Sequence, residues 1–133
     1  MIMAFDIDDV ITETSRPLLE AIEKYVKGID FNNPLTSKKE ILRGRVATPE
    51  LKELYRNHGI QLCKKAELKK GADIVIRELK RRGAIIYLIT SRDEQLIPGV
   101  TQATIDYFAE KEIPYDCNNG TVLREGIQCR LVL

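Results

Sequence analysis

The segment Ala84–Thr90, with the sequence AIIYLIT, constrains the fold more than any other part of the chain. An almost unbroken apolar run of this length is typical of a strand covered on both faces, as in a parallel sheet. Before it, Ala72, Val75, Ile76 and Leu79 have helical spacing, and the basic residues of KRRG suit a helix C-terminus. We therefore expect a helix that leads into a central strand with no exposed face.

The remaining elements alternate in a way that indicates the class of fold. Met1–Ile7 is predicted to be a first strand and Asp8–Thr12 the loop that leaves its carboxyl end. Ser15 is expected to cap a helix that Gly28 stops, and another helix is expected over Pro98–Lys111. Strands alternating with helices predict right-handed crossovers and an α/β fold with a doubly wound parallel sheet.

Residues Ile29–Lys65 interrupt this alternation. Ser37 and Glu40 have the spacing of a capping box, and Thr48 precedes a second short helix that Gly59 is expected to end. A chain of 133 residues is about one domain long. We therefore predict one domain over residues 1–133, with 29–65 as a small helical insertion.

Composition excludes several classes of partner. The 21 basic and 20 acidic residues leave no net field that would attract nucleic acid or an anionic membrane. The cysteines, Cys63, Cys117 and Cys129, have no CxxC or zinc-site spacing, so reduced thiols are expected. No apolar run reaches the ~18 residues that span a bilayer, and MIMAFDIDD has no basic leader. These features predict a cytoplasmic protein that binds neither nucleic acid nor membrane.

Polar residues follow both predicted strands at their carboxyl ends. Asp6, Asp8 and Asp9 follow the first strand, and the segment Thr90–Arg92 follows the second. In open α/β sheets, ligands bind outside the carboxyl ends of the strands, so the two segments are expected to face one cavity. Two unit charges ~4 Å apart repel by roughly 4 kcal/mol at an effective dielectric constant of about 20. The acidic cluster therefore indicates a site for something cationic.

The segments MAFDIDDVI and YLITSR resemble the first and second motifs of the haloacid dehalogenase (HAD) superfamily. The resemblance implies a Rossmann-like fold and phosphoryl transfer through an aspartyl phosphate. By it, Asp6 is the nucleophile, Asp8 the general acid and base, and Thr90 holds a phosphoryl oxygen. The metal would be Mg²⁺, held by Asp6 and by the backbone carbonyl of Asp8. The expected activity is hydrolysis of a small phosphomonoester such as a nucleotide.

The resemblance extends over roughly Met1–Asp116, and the insertion at 29–65 corresponds to a small helical cap. Within the superfamily, the chain is most similar to small 5'-nucleotidase-like proteins. By the resemblance, Ser91 and Arg92 would contact the substrate phosphate, and Asp9 would support the loop. The partner implied is a small phosphorylated metabolite, and homo-oligomerisation stays open.

The last part of the chain departs from the superfamily pattern. Its members carry a lysine after the third strand and a late acidic pair that completes the magnesium shell. The segment CNNGTVLREGIQCRLVL contains neither, although Arg124 is a candidate for the position of the lysine. Three explanations stay open: a shortened or altered gene product, missing ligands that another subunit supplies, or a binding or vestigial relative with little turnover. If only Asp6 and Asp8 hold the metal, magnesium binding is expected to be weak.

Two other functions compete with the phosphatase. A receiver domain also has acidic residues after its first strand, but it requires a third, phospho-accepting aspartate at a middle strand end, whereas Asp73 lies inside a helical pattern and Asp30 in a loop. A non-catalytic interaction module is consistent with the incomplete acidic set. His58, the one histidine, precedes Gly59 and is expected to be a helix C-terminal residue rather than a ligand.

Overall fold

The structure is a computed structural model that describes residues 1–43, 46, 48–118 and 121–122. The described strands are β1 (Ile2–Asp6), β2 (Thr12–Glu13), β3 (Glu67–Leu68), β4 (Ile85–Ile89), β5 (Cys117–Asn118) and β6 (Thr121–Val122). The described α-helices are α1 (Ser15–Tyr25), α2 (Lys38–Leu42), α3 (Pro49–Lys65), α4 (Ala72–Arg81) and α5 (Val100–Glu110), with a 3₁₀ turn at Pro34–Thr36. This is a mixed α/β fold, and none of these helices is long and apolar enough to cross a membrane.

The chain divides into two compact units. The first contains Met1–Glu13, Glu67–Ser91 and Thr104–Leu133, and the second contains Thr14–Ala66 and Arg92–Ala103. The predicted insertion at 29–65 falls within the second unit, which also includes α1 and the segment before α5. Its proposed role as a cap stays a prediction.

A sheet that contains four of the described strands, in the order β1-β4-β5-β6, organises the first unit. β4 runs parallel to β1 and to β5, and β6 pairs antiparallel with β5. The predicted strands at Met1–Ile7 and Ala84–Thr90 are confirmed as β1 and β4, and β4 lies between two neighbours as expected. The register pairs Asp6 with Ile89, so the last residues of β1 and β4 are neighbours.

The expectation that Ala84–Thr90 is covered on both faces is wrong. Ile86 and Leu88 of β4 are fully buried, whereas Ile85 and Ile89 are 39% and 50% exposed. The reason is the strand order: β1, β4 and β5 follow one another in one direction, so right-handed crossovers place their helices on the same face. Side chains of α4 and α5 accordingly share one core with the buried face of the sheet. A doubly wound sheet, with helices on both faces, is not seen in the described residues.

At the amino end of the sheet, a buried ion pair joins α4 to the residue that precedes β5. The Nζ atom of Lys80 lies 2.8 and 2.7 Å from the two carboxylate oxygens of Asp116, and it also donates to the carbonyl of Ala84 at 3.1 Å. Asp116 Oδ2 accepts from the backbone N–H of Ile86 at 2.7 Å, and the Asp116 side chain is 5% exposed. The pair therefore links the end of α4 to the starts of β4 and β5.

Helices α1, α2 and α3 form the core of the second unit with buried apolar residues: Ala21, Ile22, Ile41, Leu51 and Leu54. The predicted caps Ser37 and Thr48 are confirmed, since each side-chain oxygen accepts a backbone N–H at the start of its helix. The predicted helix after Ser15 is present, but Thr14 is its N-cap residue. His58 stacks on the ring of Tyr25, with the ring centroids 4.0 Å apart.

The expectation that Gly59 ends a helix is wrong, because α3 continues to Lys65. Gly59 is buried, and a Cβ atom placed on it would lie 2.8 Å from Cγ2 of Ile97. The glycine therefore serves close packing of α3 against Ile97 rather than chain termination.

Glu94 caps the start of α5. Its two carboxylate oxygens accept the backbone N–H groups of Gly99 and Thr101 at 2.8 and 2.7 Å. Hydrogen bonds from Thr101 and then from Gly99 hold the pKa of Glu94 below its ordinary value of 4.5. The predicted helix over Pro98–Lys111 is thus confirmed, with its start set by an acidic side chain upstream.

Candidate functional site

The acidic loop that leaves β1 is wound around one backbone carbonyl. The carbonyl oxygen of Ile7 accepts the N–H groups of Ile11 and Thr12 at 3.0 Å and that of Val10 at 3.4 Å. The hydroxyl of Thr12, which is fully buried, donates to the same oxygen at 3.2 Å. Because Ile7 and Ile11 are themselves buried, the loop is held at both ends by core side chains. A tight turn therefore presents Asp8 and Asp9.

Asp6 ends β1, and Thr90 directly follows Ile89, which ends the neighbouring parallel strand β4. The backbone N–H of Ile7 donates to the carbonyl of Ile89 at 3.0 Å, which continues the ladder one step past the Asp6–Ile89 pair. Thr90 is the next residue of its chain segment, so both residues stand at the carboxyl edge of the sheet. Asp6 is exposed and Thr90 is half-buried. The structure thus places two of the three residues to which the resemblance assigns catalytic roles at the same edge of the sheet, on adjacent chain segments.

Asp8 and Asp9 differ in conformation. Asp8 is half-buried and forms an isolated bridge with Thr12. Asp9 is exposed and has a φ of 62°, a left-handed conformation that aspartate tolerates better than most residues. Its N–H donates to the carbonyl of Thr12 at 2.8 Å, so Asp9 is the turn residue of the loop. The conformation of the turn is therefore a sufficient reason for a short polar residue at position 9, and the geometry gives Asp9 no catalytic role.

A two-stranded ribbon follows the acidic loop and supports it. β2 pairs antiparallel with β3, and the N–H of Lys69 donates to the carbonyl of Ile11 at 2.8 Å. Across this ribbon, Nζ of Lys69 lies 3.2 Å from a carboxylate oxygen of Glu13. The loop is therefore attached to the residues that precede α4, and not only to β1.

The predicted substrate contacts are distributed over different parts of the chain. Ser91 is exposed and directly follows Thr90 in the first unit. Arg92 is half-buried and belongs to the second unit. Arg124 lies outside the described residues. Of the predicted substrate contacts that the structure describes, only Ser91 belongs to the same unit as Asp6, Asp8 and Thr90.

The acidic loop fits magnesium only in part. Mg²⁺ is commonly bound by one or two carboxylates together with water and substrate phosphate, and the carboxylate of Asp6 and the backbone carbonyl of Asp8 are oxygen ligands that suit such a site. Among the residues that the structure describes, however, no group of three or more His, Cys, Asp or Glu side chains is arranged to hold a metal ion. The described residues thus fit an ion shared with water and substrate, and they do not form a complete protein shell.

Sequence reasoning missed Thr12, whose buried hydroxyl helps to fix the loop. The sequence does contain a signal for it. Thr12 follows the apolar pair Val10-Ile11 directly after the acidic residues, and a polar residue so close to the core requires a hydrogen-bond partner. The carbonyl of Ile7 is that partner.

No protein-family model and no curated protein matches this sequence. Among solved structures, the chain is similar to the crystal structure of a HAD-superfamily hydrolase from Ehrlichia chaffeensis, with a TM-score of 0.44 and 14% sequence identity. The similarity covers 95% of this chain and 64% of that protein, so the chain spans slightly less than two thirds of the neighbour's length.

Proposed function

We propose that this chain is a HAD-like hydrolase that cleaves small phosphomonoesters with Asp6 as nucleophile. The observation that carries the proposal is the position of Asp6 and Thr90 at the carboxyl ends of adjacent parallel strands. Reactive groups at this edge of an α/β sheet lie where ligands bind. The resemblance of MAFDIDDVI and YLITSR to the two HAD motifs supports the same residues independently of the geometry.

The proposed reaction has two steps. In the first, a carboxylate oxygen of Asp6 attacks phosphorus, the bond to the ester oxygen breaks, and Asp8 gives its proton to the leaving alcohol. In the second, Asp8 takes a proton from water, the water oxygen attacks phosphorus, and Asp6 is released together with inorganic phosphate. The hydroxyl of Thr90 donates a hydrogen bond to a phosphoryl oxygen throughout.

Charge decides what else the reaction requires. A phosphomonoester dianion approaching Asp6, Asp8 and Asp9 is repelled, so the acidic loop disfavours substrate binding by itself. Mg²⁺ bound to Asp6 and Asp8 would supply the positive charge that offsets this repulsion. Ser91, Arg92 and Arg124 are proposed to contact the substrate phosphate, and a nucleotide is the proposed substrate class on the grounds of the 5'-nucleotidase-like resemblance.

Hydrolysis of p-nitrophenyl phosphate, with and without Mg²⁺, tests this proposal. We expect magnesium-dependent release of nitrophenolate by the natural sequence and a rate at least about 10³-fold lower for Asp6→Asn, because the nucleophile is removed. Asp8→Asn should also be slow, since the acid is lost. Asp106→Asn, an identical change at an exposed position of α5, is the matched control and should retain the rate. Equal rates for all four proteins would refute the catalytic role of the loop.

The incomplete acidic set favours a second candidate, a HAD-like binding module with little turnover. Its supporting observation is that the described residues contain no group of three metal-binding side chains. The same experiment separates the two candidates when it is combined with calorimetric titration of Mg²⁺. Magnesium binding that is lost in Asp6→Asn, without any hydrolysis, would favour the binding module over the enzyme.

A further inference from the structure

An open cavity of about 270 Å³ is lined by β1, by the acidic loop and by the start of α4. Its apolar lining includes residues from all three segments: Phe5, Val10, Ile11, Val75 and Ile76. All of them belong to the first unit, so the cavity is formed within one compact body. The volume is just below the roughly 300–1,000 Å³ of sites for drug-sized ligands. The cavity therefore suits a smaller molecule.

The apolar side chains of the cavity differ in exposure. Ile11 and Ile76 are each 2% exposed, whereas Val10 and Val75 are 49% and 53% exposed. Single exposed apolar residues are common on protein surfaces, but these two valines both adjoin one concave surface. An apolar group that enters the cavity would remove part of their surface from water, and this favours binding.

The described residues that line the cavity carry positive charge and no negative charge. The charged members of this set are Lys69 and Lys70, which lie just before α4. Gly71 and Ala72 also line the cavity, so the positive end of the α4 dipole lies beside the lysines. Lys69 is 3.2 Å from a carboxylate oxygen of Glu13, and Lys70 is exposed. Charge therefore favours an anionic group at this end of the cavity.

We propose that the cavity binds a small amphipathic anion, an aliphatic carboxylate with a chain of about six to ten carbon atoms. The alkyl chain would lie against Phe5, Val10 and Val75, and the carboxylate would lie beside Lys70. A carboxylate and an ammonium group form charge-assisted hydrogen bonds. The two parts of such a ligand thus match the apolar and the cationic parts of the lining.

Binding in this cavity should be felt by the acidic loop. Val10 and Ile11 line the cavity, and their N–H groups both donate to the carbonyl of Ile7 in the turn that presents Asp8. We therefore expect the ligand to shift the amide NMR signals of Val10 and Ile11. The inference is independent of the proposed hydrolysis, because binding requires neither Asp6 nor a metal ion.

Calorimetric titration with butanoate, hexanoate and octanoate tests the proposal. Each methylene that enters the cavity should tighten binding by up to about fourfold, so octanoate should bind at least about tenfold more tightly than butanoate. Octan-1-ol has the same chain length without the charge. It should bind about three- to fivefold more weakly than octanoate, the difference expected for an ion pair near the surface.

Two neighbouring residues of α4 provide a matched pair of variants. Val75 lines the cavity, whereas Ile74 is 68% exposed and is not among the described lining residues. Val75→Trp should fill the cavity and weaken octanoate binding at least about tenfold, and Ile74→Trp should leave it unchanged. Lys70→Gln should weaken the binding of octanoate but not of octan-1-ol. Lys27→Gln, the same change at an exposed position of the second unit, is its control.

Circular dichroism establishes that each variant is folded, and Lys70→Gln decides the outcome if Val75→Trp does not fold. No binding by the natural sequence at about 10 mM octanoate overturns the proposal. It is also overturned if Val75→Trp and Ile74→Trp bind octanoate equally well, or if octan-1-ol binds as tightly as octanoate. Asp6→Asn should bind octanoate as the natural sequence does, so a failure of the proposed hydrolysis and a failure of this proposal are distinguishable.

Discussion

The two ends of the sheet in the first unit both carry aspartates, but in opposite environments. At the amino end, Asp116 is buried, receives two hydrogen bonds from Lys80 and one from the N–H of Ile86, and so ties α4 to two strands. At the carboxyl end, Asp6 and Asp9 are exposed on a tight turn that the carbonyl of Ile7 organises. The Asp116 carboxylate stabilises the packing at one end, whereas the loop at the other end is held by hydrogen bonds to the Ile7 carbonyl and leaves Asp6 and Asp9 exposed.

This difference separates a carboxylate that stabilises the fold from carboxylates that are candidates for ligand binding. A buried carboxylate must be paired, because an uncompensated buried charge costs several kcal/mol. The carboxylates of the acidic loop lie close together in the chain, and like charges at such short range repel one another. This repulsion is one reason for the proposal that the loop binds a cation.

The largest expected effect is at the amino end. Asp116→Ala should lower the free energy of unfolding by about 3–5 kcal/mol, because it leaves Lys80 partly buried without its partner and the N–H of Ile86 without an acceptor. Urea denaturation followed by circular dichroism measures the loss. A decrease in the free energy of unfolding of less than about 1 kcal/mol would mean that the Lys80–Asp116 pair contributes no more than an ordinary surface ion pair. The aspartates at the two ends of the sheet would then not differ in their contribution to stability.

A conservative control sharpens this prediction. Asp116→Asn retains an oxygen that can accept from Ile86, and the Lys80 side chain, which is 18% exposed, can move its ammonium towards water. We expect Asp116→Asn to lose less stability than Asp116→Ala. An equal loss would mean that the charge pair, rather than the backbone hydrogen bond, accounts for the whole effect.

The next effect concerns the turn at the carboxyl end. Thr12→Val conserves shape but removes the buried hydroxyl that donates to Ile7, and it should cost about 1–2 kcal/mol. Because the turn positions Asp8, Thr12→Val should also slow any phosphate ester hydrolysis, whereas Asp116→Asn should slow it only through loss of folded protein. Thr12→Ser retains the hydroxyl and is the control. Unchanged stability in Thr12→Val would show that the backbone bonds alone hold the turn.

The same contrast explains which features were predictable from sequence. Local patterns were sufficient for β1, for β4 and for the helix caps at Ser37 and Thr48, because they depend on neighbouring residues. The acidic loop was predictable as a candidate site because three carboxylates next to an apolar strand conflict with burial. By contrast, Lys80 resembled a residue placed to suit the helix dipole, since Asp116 is distant in sequence.

Errors arose where tertiary packing overrides a local signal. The run AIIYLIT was expected to be covered on both faces, but which faces are covered depends on strand order, and this cannot be read from one strand. Gly59 was expected to stop a helix, yet the approach of Ile97 explains why a glycine is needed inside α3. The structural role of a glycine or of an apolar run therefore depends on contacts with residues that are distant in the sequence.

A smaller effect is expected for the acidic turn. Asp6→Asn should change the free energy of unfolding by less than about 1 kcal/mol in the absence of metal, because position 6 is exposed and an asparagine oxygen can still accept the N–H of Ile7, which donates to Asp6 Oδ1 at 2.9 Å. Addition of Mg²⁺ should stabilise the natural sequence and not Asp6→Asn. Thermal unfolding with and without Mg²⁺ measures both differences. A destabilised Asp6→Asn would mean that this carboxylate supports the fold, as Asp116 does.

The smallest effect on stability is expected from the exposed ion pairs of Glu78 with Arg81 and Arg82. These pairs are the solvent-exposed comparison for the buried pair of Lys80 and Asp116. Hydrogen bonds from Arg81 and then from Arg82 lower the pKa of Glu78 from 4.5 to about 2. A carboxyl group whose pKa is lower in the folded state stabilises the fold above its unfolded pKa, and this contribution is lost as the pH falls through the folded value. The stability difference between the natural sequence and Glu78→Gln should therefore be constant above about pH 4.5 and decline between pH 4.5 and about 2. This stability difference should remain small at every pH, since water screens these exposed ion pairs. NMR titration measures the pKa of Glu78 directly. A value near 4.5 would show that Arg81 and Arg82 do not bind this carboxylate in solution.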